Sequence, residues 1–292
     1  MDRAWTRTLA TALLLVAGVP ANGQAHQPVM DMAPRWEGGW GFQIRNEHRF
    51  SDELLSGDSE VPNPQSRQRR VNTTWLEGVY TFKRELRLTA KIPWVEQSRV
   101  AVFDGVPVRQ TGSGIGDSIL GLQLKYYYNR EASTGNFGLT PSLRIPTGST
   151  KDAFEVGDGS WDVGVSASFS AEMAHIYQFY DVFYWHNTKG DRGINRGDEV
   201  GLDVNIGLHP YHNNRHNMGI FVMGDLSARY EGRGRDTAGT TGGKRISLGP
   251  VLVGYWNNFM LRAEVKFPVY ESVWGTQVAH GIDFDVGLGV TF

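Results

Sequence analysis

Apolar and polar side chains alternate with a period of two along most of this chain. The closing segment shows the rhythm most cleanly: Ile282, Phe284, Val286, Leu288, Val290 and Phe292 interleave with Asp283, Asp285, Gly287, Gly289 and Thr291. An extended chain turns successive side chains to opposite faces, so this segment predicts a strand with one greasy and one wet face. The pattern opens at 36–50, where Trp36, Trp40, Phe42 and Ile44 oppose Glu37, Gln43, Arg45, Glu47 and Arg49. It returns at about 71–82, 86–94, 117–128, 137–145, 161–170, 199–209, 218–230, 244–256, 259–270 and 280–292. Residues 176–187 carry aromatics on both faces, which predicts a strand but leaves its orientation open.

Twelve strands in one domain follow. They are about 11–15 residues long, beyond the five or six usual in globular proteins and enough for the roughly 9–11 that a tilted strand needs to cross a bilayer. Their connectors alternate in length. Short turns fall at 83–85, 130–136, 172–175, 211–217 and 257–258, and longer polar loops at 51–68, 96–113, 148–160, 188–198, 231–243 and 271–279. Short on one side and long on the other is the asymmetry of outer-membrane barrels, and an even count leaves both termini on the periplasmic side. The predicted fold is all-β: a transmembrane antiparallel β-barrel of about twelve strands.

The N-terminus predicts export. Arg3 and Arg7 precede the apolar run Leu9 to Val19, which Pro20 ends before small residues. That is the layout of a cleaved signal peptide, placed at 1–25, with the barrel occupying 26–292. Eleven apolar residues are too few to cross about 30 Å of hydrocarbon as a helix. Composition fits a β-rich exported protein: 36 glycines, 12% aromatics, 40% apolar residues and no cysteine, which excludes disulfides and thiolate metal sites. A formal net charge of −2 gives no electrostatic case for nucleic acid.

If the apolar faces meet lipid, the charged faces meet the lumen. Arg45, Arg49, Lys91, Asp117, Lys125, Arg144, Asp203, Asp225, Arg262, Glu264, Lys266, Asp283 and Asp285 are the lumen-lining candidates. Mixed signs can pair across strands, and an Arg or Lys on the lipid face would cost about 2–4 kcal/mol at mid-bilayer. Trp36, Tyr126, Tyr128, Trp185, Tyr230, Tyr255, Trp256, Phe259 and Phe292 sit at strand ends, where amphipathic rings favour the membrane interface. The spacing Gly287-x-x-Val290-x-Phe292 resembles the C-terminal signal read by the barrel-assembly machinery.

Two stretches carry a family resemblance. GIGDSILGLQLKYY places Gly114, Gly116, Asp117, Gly121, Lys125 and Tyr126 in a GxGD-x-x-L-G-x-x-x-K-Y pattern, and LTPSLRIPTGS closes an apolar strand on Pro146, Thr147 and Gly148. Together they resemble the "MetA-pathway of phenol degradation" group of outer-membrane proteins; Ser149 stands where an acidic residue is common there. The resemblance implies a channel for aromatic or other hydrophobic small molecules. The glycines do not match a dinucleotide loop, because the spacing is wrong and no helical pattern follows.

Other chemistry is weakly signalled. His209, His212 and His216 have ligand-like spacing, but the surrounding YHNNRHN also reads as a solvated polar turn, so no metal is assigned. A hydrolase needs an activated Ser, and no Gly-x-Ser-x-Gly elbow is present. The expected function is passive passage of small hydrophobic or aromatic molecules along a polar-lined lumen or through a wall opening, without a cofactor. A structural or surface-binding barrel with a closed lumen is the alternative. Membrane lipid, lipopolysaccharide, the assembly machinery and a small-molecule solute are the expected partners of a monomer.

Overall fold

The computed structural model describes residues 34, 36–103, 106–131, 133–149, 156–173, 175–191, 195–234 and 241–292; the signal peptide expected at 1–25 lies outside them. Sixteen strands are present among the described residues. The barrel wall is built from β1 (Trp40–Ser51), β4 (Gln68–Lys83), β5 (Leu86–Phe103), β7 (Ser118–Arg130), β8 (Ser133–Ile145) and β9 (Asp162–Glu172). It continues through β10 (Ile176–His186), β11 (Glu199–Asn213), β12 (Met218–Glu231), β13 (Gly243–Trp256), β14 (Phe259–Val273) and β16 (Ile282–Thr291). Each wall strand is antiparallel to its neighbours, and the β4–β5 and β1–β16 pairings close the ring at twelve. Closure leaves no wall edge unpaired, as a bilayer without water demands.

Alternation became orientation as predicted. On β12, Ile220 and Val222 face outward and half-exposed, whereas Phe221, Met223 and Asp225 are buried inside. Outward aromatics gather in two belts: Trp40, Phe82, Tyr126, Trp256, Phe259 and Phe292 at the end of the short turns, and Trp94, Trp161, Tyr184, Tyr230 and Tyr270 at the other. From Ile220 to Tyr230 the chain rises about 33 Å at ~3.3 Å per residue. Tilted by about 40°, that is roughly the 25 Å of an outer-membrane apolar band. The C-terminus seals the seam: Trp40 and Phe292 exchange backbone hydrogen bonds of 2.7 and 2.9 Å, and Phe292 stacks on Phe42 at 5.6 Å.

Three features depart from the expectations. The loop expected at 96–113 is a hairpin in which the upper half of β5 pairs with β6 (Val106–Ile115). Arg70, Asn72, Glu96 and Ser98 face outward there, so this hairpin stands above the lipid, where polar faces on both sides erase the two-residue signal. The outer loops also form a small sheet of β2 (Leu54–Ser56), β3 (Ser59–Val61) and β15 (Thr276–Val278), with Leu55, Val273 and Ala279 packed beneath it. Trp185 and Tyr255, expected at the membrane interface, instead face the interior, since each alternates with an outward neighbour, Tyr184 and Trp256.

Candidate functional site: the barrel interior

The polar faces of the wall strands converge on an ion-paired interior. Arg45 on β1 bridges its two neighbours, with Nη1 2.5 Å from Asp285 Oδ2 on β16 and Nη2 3.1 Å from Glu77 Oε1 on β4. On the next strands Lys266 lies 3.1 Å from Asp225 and 3.2 Å from Glu264, which also accepts from Arg262 at 2.7 Å. Arg229 grips Asp203 with two 2.8 Å bonds from one nitrogen, and Arg144 holds the fully buried Asp162 at 2.9 Å. Buried charges demand such pairing, because an uncompensated one costs several kcal/mol. Arg49, Lys91 and Lys125 also face inward; Arg49 Nε lies 3.6 Å from Asp283, and Lys91 3.9 Å from Glu77.

Asp117 departs from the expectation that it lines the lumen. It sits in the turn before β7, where its carboxylate fastens the β8–β9 loop: Oδ1 accepts from Gly148 N at 3.0 Å and Oδ2 from Asp158 N at 3.1 Å. Thr147 Oγ1 completes the latch by donating to Gly116 O at 2.7 Å. Gly148 and Gly157 meet so closely that a Cβ on Gly148 would lie 2.7 Å from the Gly157 Cα. The two resembling stretches are therefore two halves of one clasp. Burial pushes the Asp117 carboxyl above the usual aspartate range, against the pull of its two N–H donors, and the neighbouring Asp158 adds to the rise. Asp117→Asn should leave the barrel intact but cost about 1–3 kcal/mol locally. Hydrogen exchange at the Gly148 and Asp158 amides should accelerate; unchanged exchange would deny the latch.

The interior also contains aromatics that the sequence did not orient. Phe179, Phe183 and Trp185 on β10 border a cavity of about 380 Å³, opposite Gln43, Glu77, Lys91 and Lys125. Glycines on adjoining strands let these rings lie against the wall. A Cβ at Gly164 would meet the Trp185 ring at 2.6 Å, and one at Gly201 would collide with Phe183. Guanidinium groups cover the exposed ring faces, with Arg144 4.5 Å from the Trp185 centroid and Arg229 4.7 Å from Phe183. Glycine interleaved with aromatics on neighbouring polar faces was the available signal.

Beside this cavity, toward the end of the short turns, Tyr177, Phe221, Met223, Val251, Val253 and Met260 form a buried apolar cluster inside the barrel. His209 stacks on Phe221 at 3.9 Å, and its ring centroid is 5.0 Å from that of His212. Among the described residues no group of three or more His, Asp or Glu is arranged to hold a metal ion.

Comparison with solved structures supports the architecture. The COG4313 outer membrane channel from Pseudomonas putida F1 superposes with a TM-score of 0.68 at 15% identity, covering 92% of this chain and 100% of that one. The beta domain of the Bordetella autotransporter Brka gives a TM-score of 0.44 at 11% identity, covering 88% of this chain and 100% of that one. The KdgM porin gives 0.43 at 12% identity, covering 86% of this chain and 99% of that one. Comparison with curated protein sequences gives no match. The family profile described as MetA-pathway of phenol degradation matches residues 66–271, spanning the clasp and most of the ring-lined cavity and the ionic network, and the chain belongs to that family.

Proposed function

We propose that this protein is an outer-membrane channel through which small hydrophobic or aromatic molecules pass without energy input. The observation that carries the reading is the ring-lined cavity of about 380 Å³ inside a closed wall. The ring edges of Phe179, Phe183 and Trp185 offer an aromatic solute edge-on and apolar contacts, while the paired charges keep water in the lumen. The family's connection to phenol degradation and the channel named above point the same way. On this reading Arg45, Arg49, Lys91, Lys125, Arg144, Asp203, Asp225, Arg262, Glu264, Lys266, Asp283 and Asp285 line the route, and no covalent step is needed. Residues 1–25 direct export, Gly287, Val290 and Phe292 present the assembly signal, and the barrel works as a monomer amid lipid and lipopolysaccharide.

A closed-lumen barrel is the second reading, and the apolar cluster around Phe221 favours it. Liposome swelling separates the two. Vesicles carrying the folded protein should swell in a phenol-type solute at least several-fold faster than protein-free vesicles. Correctly inserted protein that passes neither solute nor ions would leave the second reading standing.

A further inference from the structure

We propose that the outer mouth of the barrel holds an anion-binding site for the carboxylate of a small organic acid, formed by Arg49, Arg69 and Arg245 around His280. The proposal rests on the channel reading and narrows its solutes to those carrying an acidic group. The outer sheet builds the site. Ala279 N donates to Glu53 O at 2.9 Å, and His280 N donates to both Glu271 carboxylate oxygens at 2.8 and 3.0 Å, which fixes the imidazole at the rim. A cavity of about 160 Å³ lies there, bordered by the three arginines and His280.

The protonation pattern orients two of the three forks. Burial and the surrounding guanidiniums push the His280 pKa well below its ordinary value, so the ring is neutral. Its Nε2–H donates to Asp283 Oδ2 at 2.9 Å and Nδ1 accepts from Arg245 Nη1, while Arg49 Nη1 lies 2.9 Å from both ring nitrogens. Arg and carboxylate pair by parallel N–H donors, so the guanidinium nitrogens of Arg49 and Arg245 that do not meet His280 are the ones that would hold a planar oxyanion.

Charge balance leaves this point positive. Arg229 is answered by Asp203, and Arg49 has Asp283 at 3.6 Å. Arg69 and Arg245 have no carboxylate within 4.0 Å among the described residues; Glu199, Glu231 and Glu271 border the same cavity, against Arg49, Arg69, Arg229, Lys244 and Arg245. The Arg49, Arg99 and Arg196 guanidiniums repel Arg69, and a bound anion would relieve that repulsion. Arg49, Arg69 and Arg245 are on the inner faces of β1, β4 and β13, out of reach of an outer-leaflet headgroup. A solute entering the barrel is therefore the occupant the geometry favours.

The test uses purified full-length barrel in detergent, titrated calorimetrically with benzoate, with benzyl alcohol and with inorganic phosphate. Benzoate should bind, and Arg69→Gln with Arg245→Gln should weaken it at least tenfold while the unboiled protein keeps the gel mobility of a folded barrel. Arg69→Lys, which keeps the charge but loses the fork, should fall between them. Benzyl alcohol should bind at least tenfold more weakly than benzoate. Equal binding of both, unchanged benzoate affinity in the double variant, or tighter binding of phosphate than of benzoate would each overturn the proposal. Planar-bilayer recordings read the channel separately: benzoate binding without ion current sinks the channel reading alone, whereas current without benzoate binding sinks the anion site alone.

Discussion

Val286→Arg is expected to prevent recovery of folded barrel from the outer membrane. Val286 projects outward from the middle of the apolar run of β16, roughly half exposed, between Asn46 of β1 and Ala263 of β14. An arginine there faces hydrocarbon, at a cost of about 2–4 kcal/mol near mid-bilayer. Position 286 also lies on the strand that closes the ring, so the penalty falls on the seam. The next residue supplies the contrast. Gly287 faces inward, and a Cβ there would crowd the Nε2 end of Gln43 at 2.7 Å, a flexible group able to move aside, and meet Arg45 Cγ at an ordinary 3.5 Å. Gly287→Ala should therefore fold almost as well as the parent. Mobility of unboiled samples on gels and urea midpoints read both outcomes; equal losses would mean the inner and outer faces are misassigned.

Phe221→Ala should produce the largest change in conductance. Phe221 is fully buried at the centre of the apolar cluster that fills the periplasmic end, touching His209, Tyr177 and Tyr255. Removing its ring leaves a gap that costs roughly 3–5 kcal/mol where packing cannot collapse. A wall tied by continuous backbone ladders holds its shape, so the gap should persist as extra width. Single-channel current in planar bilayers should rise several-fold over the parent. A folded variant with parental current would show that ions do not cross this end beside Phe221.

Much of this architecture was legible in the chain because a bilayer enforces a simple code. Every lipid-facing position must be apolar, and pleating repeats that demand at every second residue. Strand identity, the strand count and the inward direction of Arg45, Arg262 and Glu264 followed from that rule alone. The rule is silent where both faces meet water or both meet protein. It therefore missed the β5–β6 hairpin above the lipid and left β10 unoriented, since Phe179 and Trp185 inside look like Tyr180 and Tyr184 outside. Asp117 was misplaced for a related reason. One residue before β7 the period still reads inward, but the chain has already bent toward the Gly148 loop.

The sequence by itself determined the topology: alternation fixed which face each strand shows, and connector lengths fixed which end carries the loops. Tertiary structure alone decided what the interior contains. Arg45 meets Asp285 across 240 positions of chain, and His280 gathers arginines from β1 and β13, contacts that no local pattern encodes. The physical reason is range. Solvent preference acts on each side chain separately and leaves a periodic trace, whereas pairing depends on which strands ring closure makes neighbours.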